Sequence, residues 1–266
     1  MMPTPHPPVV AVTRSVAQPD PFGAAMQAAG VNIIRIPTTR TEPALDSQPL
    51  ADALARLTTF DWILFTSGRT VDAWIALDTA NHLASLPHLR IAAVGPTTAG
   101  RLAVLGIKAH VIGGGEGARA VAEQMVASTG SDMPGTRILW PRSDLADASL
   151  AKDLTSLGAE VDHPIAYRTL LHTPANIEEY QRLLLQSHVA ATVFFAPSAA
   201  AGLARALGST DLAALRGRTE IAAVGDTTAV ALARLGAPAG TIGSSSVEQF
   251  AAALIRRLAL NPRVMQ

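Results

Sequence analysis

Nine residues near position 91 return almost unchanged near position 221, and a chain that repeats itself in this way has to build the same local structure twice. Ile91-Ala92-Ala93-Val94-Gly95-Pro96-Thr97-Thr98-Ala99 reappears as Ile221-Ala222-Ala223-Val224-Gly225-Asp226-Thr227-Thr228-Ala229, an offset of 130 residues. Thr13-Arg14-Ser15 is echoed by Pro141-Arg142-Ser143 at 128, and Ile63-Leu64-Phe65-Thr66-Ser67 by Val193-Phe194-Phe195-Ala196-Pro197-Ser198 at about 130. The 266 residues are long for one compact domain and comfortable for two. The duplication predicts two similar halves facing one cleft.

Short β-branched runs alternate with Ala- and Leu-rich stretches from end to end. Strands are predicted at Val9 to Thr13, Val31 to Ile36, Trp62 to Thr66, Ile91 to Val94, His110 to Ile112, Ile138 to Trp140, Glu160 to Ile165, Ala191 to Phe195, Ile221 to Val224 and Thr241 to Ile242. That is five per half. Their apolar residues run unbroken instead of alternating, as in parallel strands covered on both faces by helices. Helix starts are read at Asp20-Pro21 and Thr173-Pro174, each an N-cap before a proline at the first helical position, and at Ser246 with Gln249 as a capping box. Gly30, Gly158 and Gly236 stand where helices should stop. Two five-stranded, doubly wound α/β units are the economical result.

In such sheets ligands bind beyond the carboxyl ends of the strands, where the next helix presents unpaired N–H groups. The polar tips of this chain fall there: Thr13-Arg14-Ser15, Thr66-Ser67-Gly68-Arg69, Gly95-Pro96-Thr97-Thr98, Gly113-Gly114-Gly115-Glu116-Gly117, Pro141-Arg142-Ser143, Pro197-Ser198, Gly225-Asp226-Thr227-Thr228 and Ser244-Ser245-Ser246. Any one of them also reads as a plain helix cap. Eight of them on two duplicated lobes favour an anionic ligand.

Composition narrows the function. Lys+Arg and Asp+Glu both number 21, which removes any whole-chain field for nucleic acid or an acidic membrane. Arg outnumbers Lys nineteen to two, which suits forked recognition of carboxylate or phosphate and equally suits an Arg-rich coding background. Without cysteine there is no disulfide, thiol nucleophile or thiolate metal site. The seven histidines, at 6, 82, 88, 110, 163, 172 and 188, lack the close helical spacing of metal pairs, so no metal is expected. The start of the chain has neither a basic n-region nor an apolar h-region, and no long apolar run occurs; the expectation is a soluble cytoplasmic protein.

Gly113 to Ala118 matches G-x-G-x-x-A between a strand and a helix from Ala118 to Ala127. The next strand ends in Pro141-Arg142-Ser143 and not in the acidic residue a ribose would need, which weakens a dinucleotide reading. No phosphate-binding G-x-x-x-x-G-K-[ST] and no G-x-S-x-G elbow around Ser67 or Ser198 is present, so phosphoryl transfer and serine hydrolysis drop away.

Ile63-Leu64-Phe65-Thr66-Ser67-Gly68-Arg69-Thr70-Val71-Asp72-Ala73, the two Val-Gly-x-Thr-Thr-Ala stretches and Ala166-Tyr167-Arg168-Thr169 together resemble the uroporphyrinogen-III synthase family, in order and over nearly the whole chain. The resemblance implies two flavodoxin-like parallel-sheet lobes joined by a two-stranded linker, with a cleft between them. It implies a cofactor-free lyase that takes linear hydroxymethylbilane, eliminates its terminal hydroxyl as water and closes the macrocycle with ring D inverted, by a route drawn through a spiro intermediate. That substrate carries eight carboxylates, ionised near neutral pH. Helix N-termini, Arg side chains and Ser/Thr hydroxyls can meet them without net positive charge on the protein. The substrate would be handed over by hydroxymethylbilane synthase, and the family suggests a monomer, with no nucleic acid or membrane partner.

The family pattern assigns residues 1 to 37 with 171 to 266 to one lobe and 38 to 170 to the other; the bare duplication suggests a cut near 130, and strand counting allows both. The crossings around Pro37 to Thr41 and Tyr167 to Leu171 are themselves repeats, Thr39-Arg40-Thr41 answering Tyr167-Arg168-Thr169 at 128. A duplicated scaffold that does asymmetric chemistry needs a position where the copies differ, and Tyr167 against Thr39 is one. The resemblance puts Tyr167 nearest the departing hydroxyl, where a phenol can donate a proton as the C–O bond breaks; a tyrosine packed on the hinge is the alternative. By resemblance Ser67, Arg69, Thr98, Thr227 and Thr228 line the cleft. Thr13, Arg14, Gly68, Thr97, Arg142, Ser143 and Ser198 are candidate contacts at strand tips. Ala196 stands where relatives often carry a hydroxyl. The competing readings are a two-lobe anion-binding protein or sensor without catalysis, for which the few residues after Leu260 offer no output module, and a transferase with a nucleotide donor.

Overall fold

The structure, a computed structural model, describes residues 8–15, 20–114, 118–129, 133–243 and 246–259. Gly115 to Gly117 of the glycine-rich stretch and Ser244 and Ser245 of the last polar tip lie outside the described residues. From the N-terminal side the elements are β1 (Val9–Val12), α1 (Pro21–Ala28), β2 (Asn32–Arg35), β3 (Thr39–Pro43), α2 (Gln48–Ala55), β4 (Trp62–Phe65), α3 (Gly68–Leu77), β5 (Arg90–Ala93), α4 (Pro96–Ala103), β6 (Val111–Ile112), α5 (Ala118–Thr129) and β7 (Arg137–Leu139). They continue with β8 (Arg142–Ser143), α6 (Ser149–Ser156), β9 (Glu160–Asp162), β10 (Ile165–Leu171), α7 (Ile177–Leu185), β11 (Val189–Phe194), α8 (Pro197–Ala206), β12 (Glu220–Val224), α9 (Asp226–Arg234), β13 (Thr241–Gly243) and α10 (Val247–Ala259).

The chain divides into two compact units, one of Met1–Arg40 with Leu170–Gln266 and one of Thr41–Thr169. The sheet of the first has the order β13-β12-β11-β1-β2, and that of the second β6-β5-β4-β7-β9, every pairing being parallel. Written this way the two orders correspond strand for strand, β11 with β4, β12 with β5 and β1 with β7. These are the strands that the 130- and 128-residue offsets relate. Each sequence copy therefore gives its first two sheet strands to one unit and its last three to the other. That exchange is why a cut near 130, although it also yields five strands per half, matches neither unit.

Both units are three-layered, and the period-2 alternation of a strand decides which residue meets which helices. In the first unit Ala11, Phe194, Ile221 and Ala223 pack with Tyr180, Leu184, Leu203 and Leu232 from α7, α8 and α9. Val10, Val12, Val193 and Ala222 take the other face, with Phe22 and Met26 of α1 and Phe250 and Leu254 of α10. In the second unit Ile63, Phe65, Ile91 and Ala93 meet α2, α3 and α4 through Leu50, Trp74 and Leu102. Trp62, Leu64, Ala92 and Ile138 meet α5 and α6 through Val121, Met125, Leu150 and Leu154. With both faces covered, β4 is buried at every position, which is what its unbroken apolar run requires.

Three local expectations change. The stretch predicted as one strand from Glu160 to Ile165 is two, because His163-Pro164 interrupts it and Pro164 has no N–H to give a ladder. The helix placed at Thr173-Pro174 starts three residues later; Ile177 N–H bonds back to the Pro174 carbonyl in a turn, and Asn176 takes the cap position. The segments by which the chain passes between units, β3 and β10, belong to a sheet of order β3-β10-β8, so a third strand of two residues joins the expected pair. By contrast Asp20 caps α1 as read, accepting from Gly23 N–H at 3.1 Å, and Ser246 accepts from Gln249 N–H at 3.3 Å.

Candidate active site

A doubly wound sheet has one place where neighbouring strands continue in opposite directions, and the carboxyl ends there open a crevice. In the second unit this is between β4 and β7; in the first it is between β1 and β11. The residues that follow those strands are the polar tips of the sequence.

In the second unit β4 runs into Thr66 and Ser67, and β7 into Trp140, Pro141 and β8. The indole Nε1 of buried Trp140 reaches Thr66 Oγ1 at 3.4 Å, tying the two tips together. Ser67 is the N-cap of α3, in extended backbone conformation, with its Oγ accepting Thr70 N–H at 3.1 Å. The same oxygen lies 2.9 Å from Thr70 Oγ1 and 3.2 Å from the Tyr167 hydroxyl. Tyr167 arrives on β10, in register with Ser143 of β8, and its backbone carbonyl accepts Asp144 N–H at 3.0 Å. Only 6% of the residue is exposed. Its ring belongs to the α3-side core and its hydroxyl stands at the β4–β7 crevice.

A cavity of about 480 Å³ adjoins this point, with Tyr167 on one side and Arg69, Asp72, Ala73, Ala76 and Leu77 of α3 on the other. Its size falls in the range of small-molecule sites, and its wall is mostly apolar. Half-buried Arg69 has no ion pair or hydrogen-bond partner among the described residues, whereas Asp72 is held by Arg101. Gly68 places the first turn of α3 against Arg101, where a Cβ would meet its Cδ at 3.3 Å.

Arg142 is otherwise engaged. Its Nε donates to His163 Nδ1 at 3.3 Å and to the His163 carbonyl at 3.2 Å, and its Nη1 to the carbonyls of Ser143 at 3.2 Å and Ala146 at 3.0 Å. That guanidinium ties together the loop around β8 and has few N–H groups left for a ligand. The Ser143 hydroxyl donates to Asp144 Oδ1 at 3.0 Å, and Asp144 in turn accepts Thr169 N–H.

At the crevice of the first unit Thr13 is fully buried and its hydroxyl donates to the Val193 carbonyl at 2.9 Å, bracing β1 against β11. Arg14 lies over the Phe195 ring at 3.6 Å, with Nη2 3.5 Å from Asp20. Asp20 also pairs with Arg35. Helix α8 begins with Ala196 at the cap and Pro197 at the first position, so no side chain caps it and half-buried Ser198 is its first hydroxyl.

The duplicated Val-Gly-x-Thr-Thr-Ala stretches build the starts of α4 and α9. Both are capped by glycine without a side-chain bond, which leaves their first N–H groups open. Thr97 and Thr227 point to solvent; Thr98 and Thr228 are buried. Among the described residues no group of three His, Cys, Asp or Glu could hold a metal ion, and no helix is long and apolar enough to cross a membrane.

The Trp140–Thr66 bridge, the cavity along α3 and the part played by Thr70 are not visible in the strand-tip pattern. Only the third could have been found, from a serine cap followed three residues later by a second hydroxyl.

The family model described as uroporphyrinogen-III synthase HemD matches residues 20–249. A uroporphyrinogen-III synthase of Synechococcus elongatus is 31% identical over 183 residues, 68% of this chain and 67% of that protein. The fold is similar to that of a mutant uroporphyrinogen III synthase from the extremely thermophilic bacterium Thermus thermophilus, with a TM-score of 0.61 at 22% identity over 95% of this chain and 99% of that one. It is also similar to that of the uroporphyrinogen-III synthetase of Helicobacter pylori, with 0.56 at 18% over 96% and 99%. A family match across most of its length, together with a close relative in sequence and the shared fold, establishes that the chain belongs to the uroporphyrinogen-III synthase family, enzymes of tetrapyrrole biosynthesis.

Proposed function

We propose that this chain is a cofactor-independent lyase that closes linear hydroxymethylbilane to uroporphyrinogen III, with loss of the terminal hydroxyl as water and inversion of ring D. The observation that carries the reading is the Tyr167 hydroxyl at the β4–β7 crevice, 3.2 Å from Ser67 Oγ. The pyrrole nitrogen electrons expel the hydroxyl, and the phenolic proton joins it, so the C–O bond breaks to give water. Attack by the substituted α-carbon of ring D forms one C–C bond and the spiro intermediate. The bond from that carbon to its original methylene then breaks, the methylene rejoins ring D at its free α-carbon, and the proton lost from that carbon restores the phenol. Nothing in this balance needs a metal, nucleotide or flavin.

The substrate carboxylates are met by Arg69, by the open N–H groups and hydroxyls of the two Thr-Thr turns at Thr97, Thr98, Thr227 and Thr228, and by Gly68, Ser198 and Arg14 at the strand tips. Thr13, Arg142 and Ser143, whose one hydroxyl proton is held by Asp144, support these loops from within. The protein acts in the cytoplasm as a monomer, on substrate received from hydroxymethylbilane synthase, and its functional lobes are residues 1–37 with 171–266 and residues 38–170. The test is to supply porphobilinogen and a deaminase to chelator-treated protein, oxidise the product and separate its isomers. Type III product without added metal, nucleotide or flavin supports the reading; type I alone, or activity that returns only with a metal, contradicts it.

A further inference from the structure

We infer that Ser67 serves this reaction as a positioning residue for Tyr167, with Thr70 setting the direction of the hydrogen bonds, and does not touch substrate. The inference rests on the cyclising role proposed for Tyr167. A serine hydroxyl has one proton to donate and two lone pairs to accept with. Around Ser67 Oγ stand the Thr70 N–H at 3.1 Å, Thr70 Oγ1 at 2.9 Å and the Tyr167 hydroxyl at 3.2 Å. The N–H takes one lone pair. One proton and one lone pair then remain for two hydroxyls, which leaves the Ser67 hydroxyl no capacity for a ligand.

Two arrangements satisfy this count. Where Ser67 donates to Thr70, the phenol of Tyr167 must donate to Ser67, and its proton points away from any substrate. Where Thr70 donates to Ser67, Ser67 donates to the phenolic oxygen, and the Tyr167 proton is free to face the departing hydroxyl. As that proton moves to the leaving oxygen, the charge left on the phenol oxygen meets the Ser67 O–H already aimed at it, a charge-assisted bond stronger than the one it replaces. Thr70 is fully buried, so water does not compete for its hydroxyl. The backbone fixes the geometry, because Ser67 and Thr70 are the cap and third positions of one helix.

The test is a double-mutant cycle on single-turnover ring closure. Ser67→Ala should lower kcat about five- to tenfold with KM unchanged, the size of one lost hydrogen bond. In a Tyr167→Phe background the same change should cost less than about twofold, because the bond it removes is already gone. Ser67→Asp keeps the helix cap yet only accepts, and should be as slow as Ser67→Ala. Ser67→Asn caps through its oxygen and donates through its nitrogen, and Ser67→Thr keeps the hydroxyl; both should recover most of the rate, which a loss of folding would not allow. Additive losses, a raised KM with kcat intact, or a fully active Ser67→Asp would overturn the inference. A Tyr167→Phe enzyme at the wild-type rate would overturn it together with the acid role on which it rests, and so distinguishes the two failures.

Discussion

Gly202 of α8 passes so close to Thr38 that a Cβ at position 202 would collide with the Thr38 carbonyl oxygen and stand 3.0 Å from its carbon. The Thr38 hydroxyl donates to the Ala199 carbonyl one turn earlier at 2.8 Å, and the Thr38 carbonyl accepts His172 N–H at 2.8 Å. This contact fixes α8, and with it Ser198, against the residue that leads into β3.

Two effects oppose each other in Gly202→Ala. Alanine favours a helix interior by about 1 kcal/mol over glycine, while overpacking against backbone costs roughly 1–3 kcal/mol or more. The obstacle is a backbone carbonyl held in place by its own hydrogen bond to His172 and cannot rotate away. The variant should therefore lose roughly 1–2 kcal/mol net, read as a lower urea midpoint at unchanged slope. A gain in stability would show that α8 can slide.

Arg69 and Arg142 should respond differently to removal, although both follow strand tips. Arg69→Ala removes a charge without a protein partner among the described residues and should weaken substrate binding about tenfold, with a flatter dependence on salt because fewer charge pairs remain to be screened. Arg142→Ala instead leaves the carbonyls of His163, Ser143 and Ala146 without their donor and should destabilise the protein by roughly 1–3 kcal/mol. Equilibrium binding at several ionic strengths, paired with urea denaturation, separates the two. Equal effects on binding and stability in both variants would remove the distinction.

Acid should weaken the second unit in two windows. His110 is held below its ordinary 6.5 by burial, with repulsion from Lys108 and Arg90, and its Nδ1 accepts Ile91 N–H at 2.9 Å, which requires the neutral ring. The unfolded chain binds this proton more readily, so the contribution is complete above pH 6.5 and is lost as the pH falls through the depressed value. Asp78 follows lower down. Burial alone would raise its carboxyl, but the His82 backbone N–H and ring, the Trp74 indole and the Leu83 N–H together hold it below 3.8. Its contribution is present above pH 3.8 and is lost below that. His110→Asn keeps an acceptor without the titration and should flatten the fall in Tm between pH 7 and 5. Asp78→Asn should destabilise the protein at pH 7, and the gap to the wild type should narrow as the pH falls below 3.8. A wild-type slope in His110→Asn would remove that histidine from the acid response.

The sequence carried the inner strands β1, β4, β5, β11 and β12 because they are covered on both faces and so write nearly unbroken apolar runs, whereas the edge strands β2, β6, β9 and β13 are partly exposed and were legible from shorter runs around one or two apolar β-branched residues. It also carried the cap of α1, since Asp20-Pro21 combines an acceptor with a residue that needs no N–H. It could not carry β8. A strand of two residues has no periodicity, and Arg142–Ser143 is a strand by virtue of its pairing with β10, more than twenty residues away in sequence. Thr173-Pro174 looked like a helix start for the same local reason as Asp20-Pro21, but a turn to the Pro174 carbonyl delays the helix. At the site, Ser67, Gly68, Arg69 and Tyr167 were legible one at a time. Their convergence was not, because Ser67 and Tyr167 meet across 100 residues through the path of β10 beside β8. The use of the Arg142 guanidinium on carbonyls was invisible for a like reason, as Arg142 and His163 are 21 residues apart.

Replacing Tyr167 by Phe tests the acid role most directly, since it removes one hydroxyl and keeps the ring in the α3-side core. General acids contribute about 10²–10⁴ in rate, but the pyrrole already drives this leaving group out, so the expected loss in single-turnover ring closure is about 10- to 100-fold, with the product still mainly type III and the urea midpoint near that of the wild type. A folded Tyr167→Phe protein that closes the ring at the wild-type rate would contradict the account and leave Tyr167 as a residue that only packs.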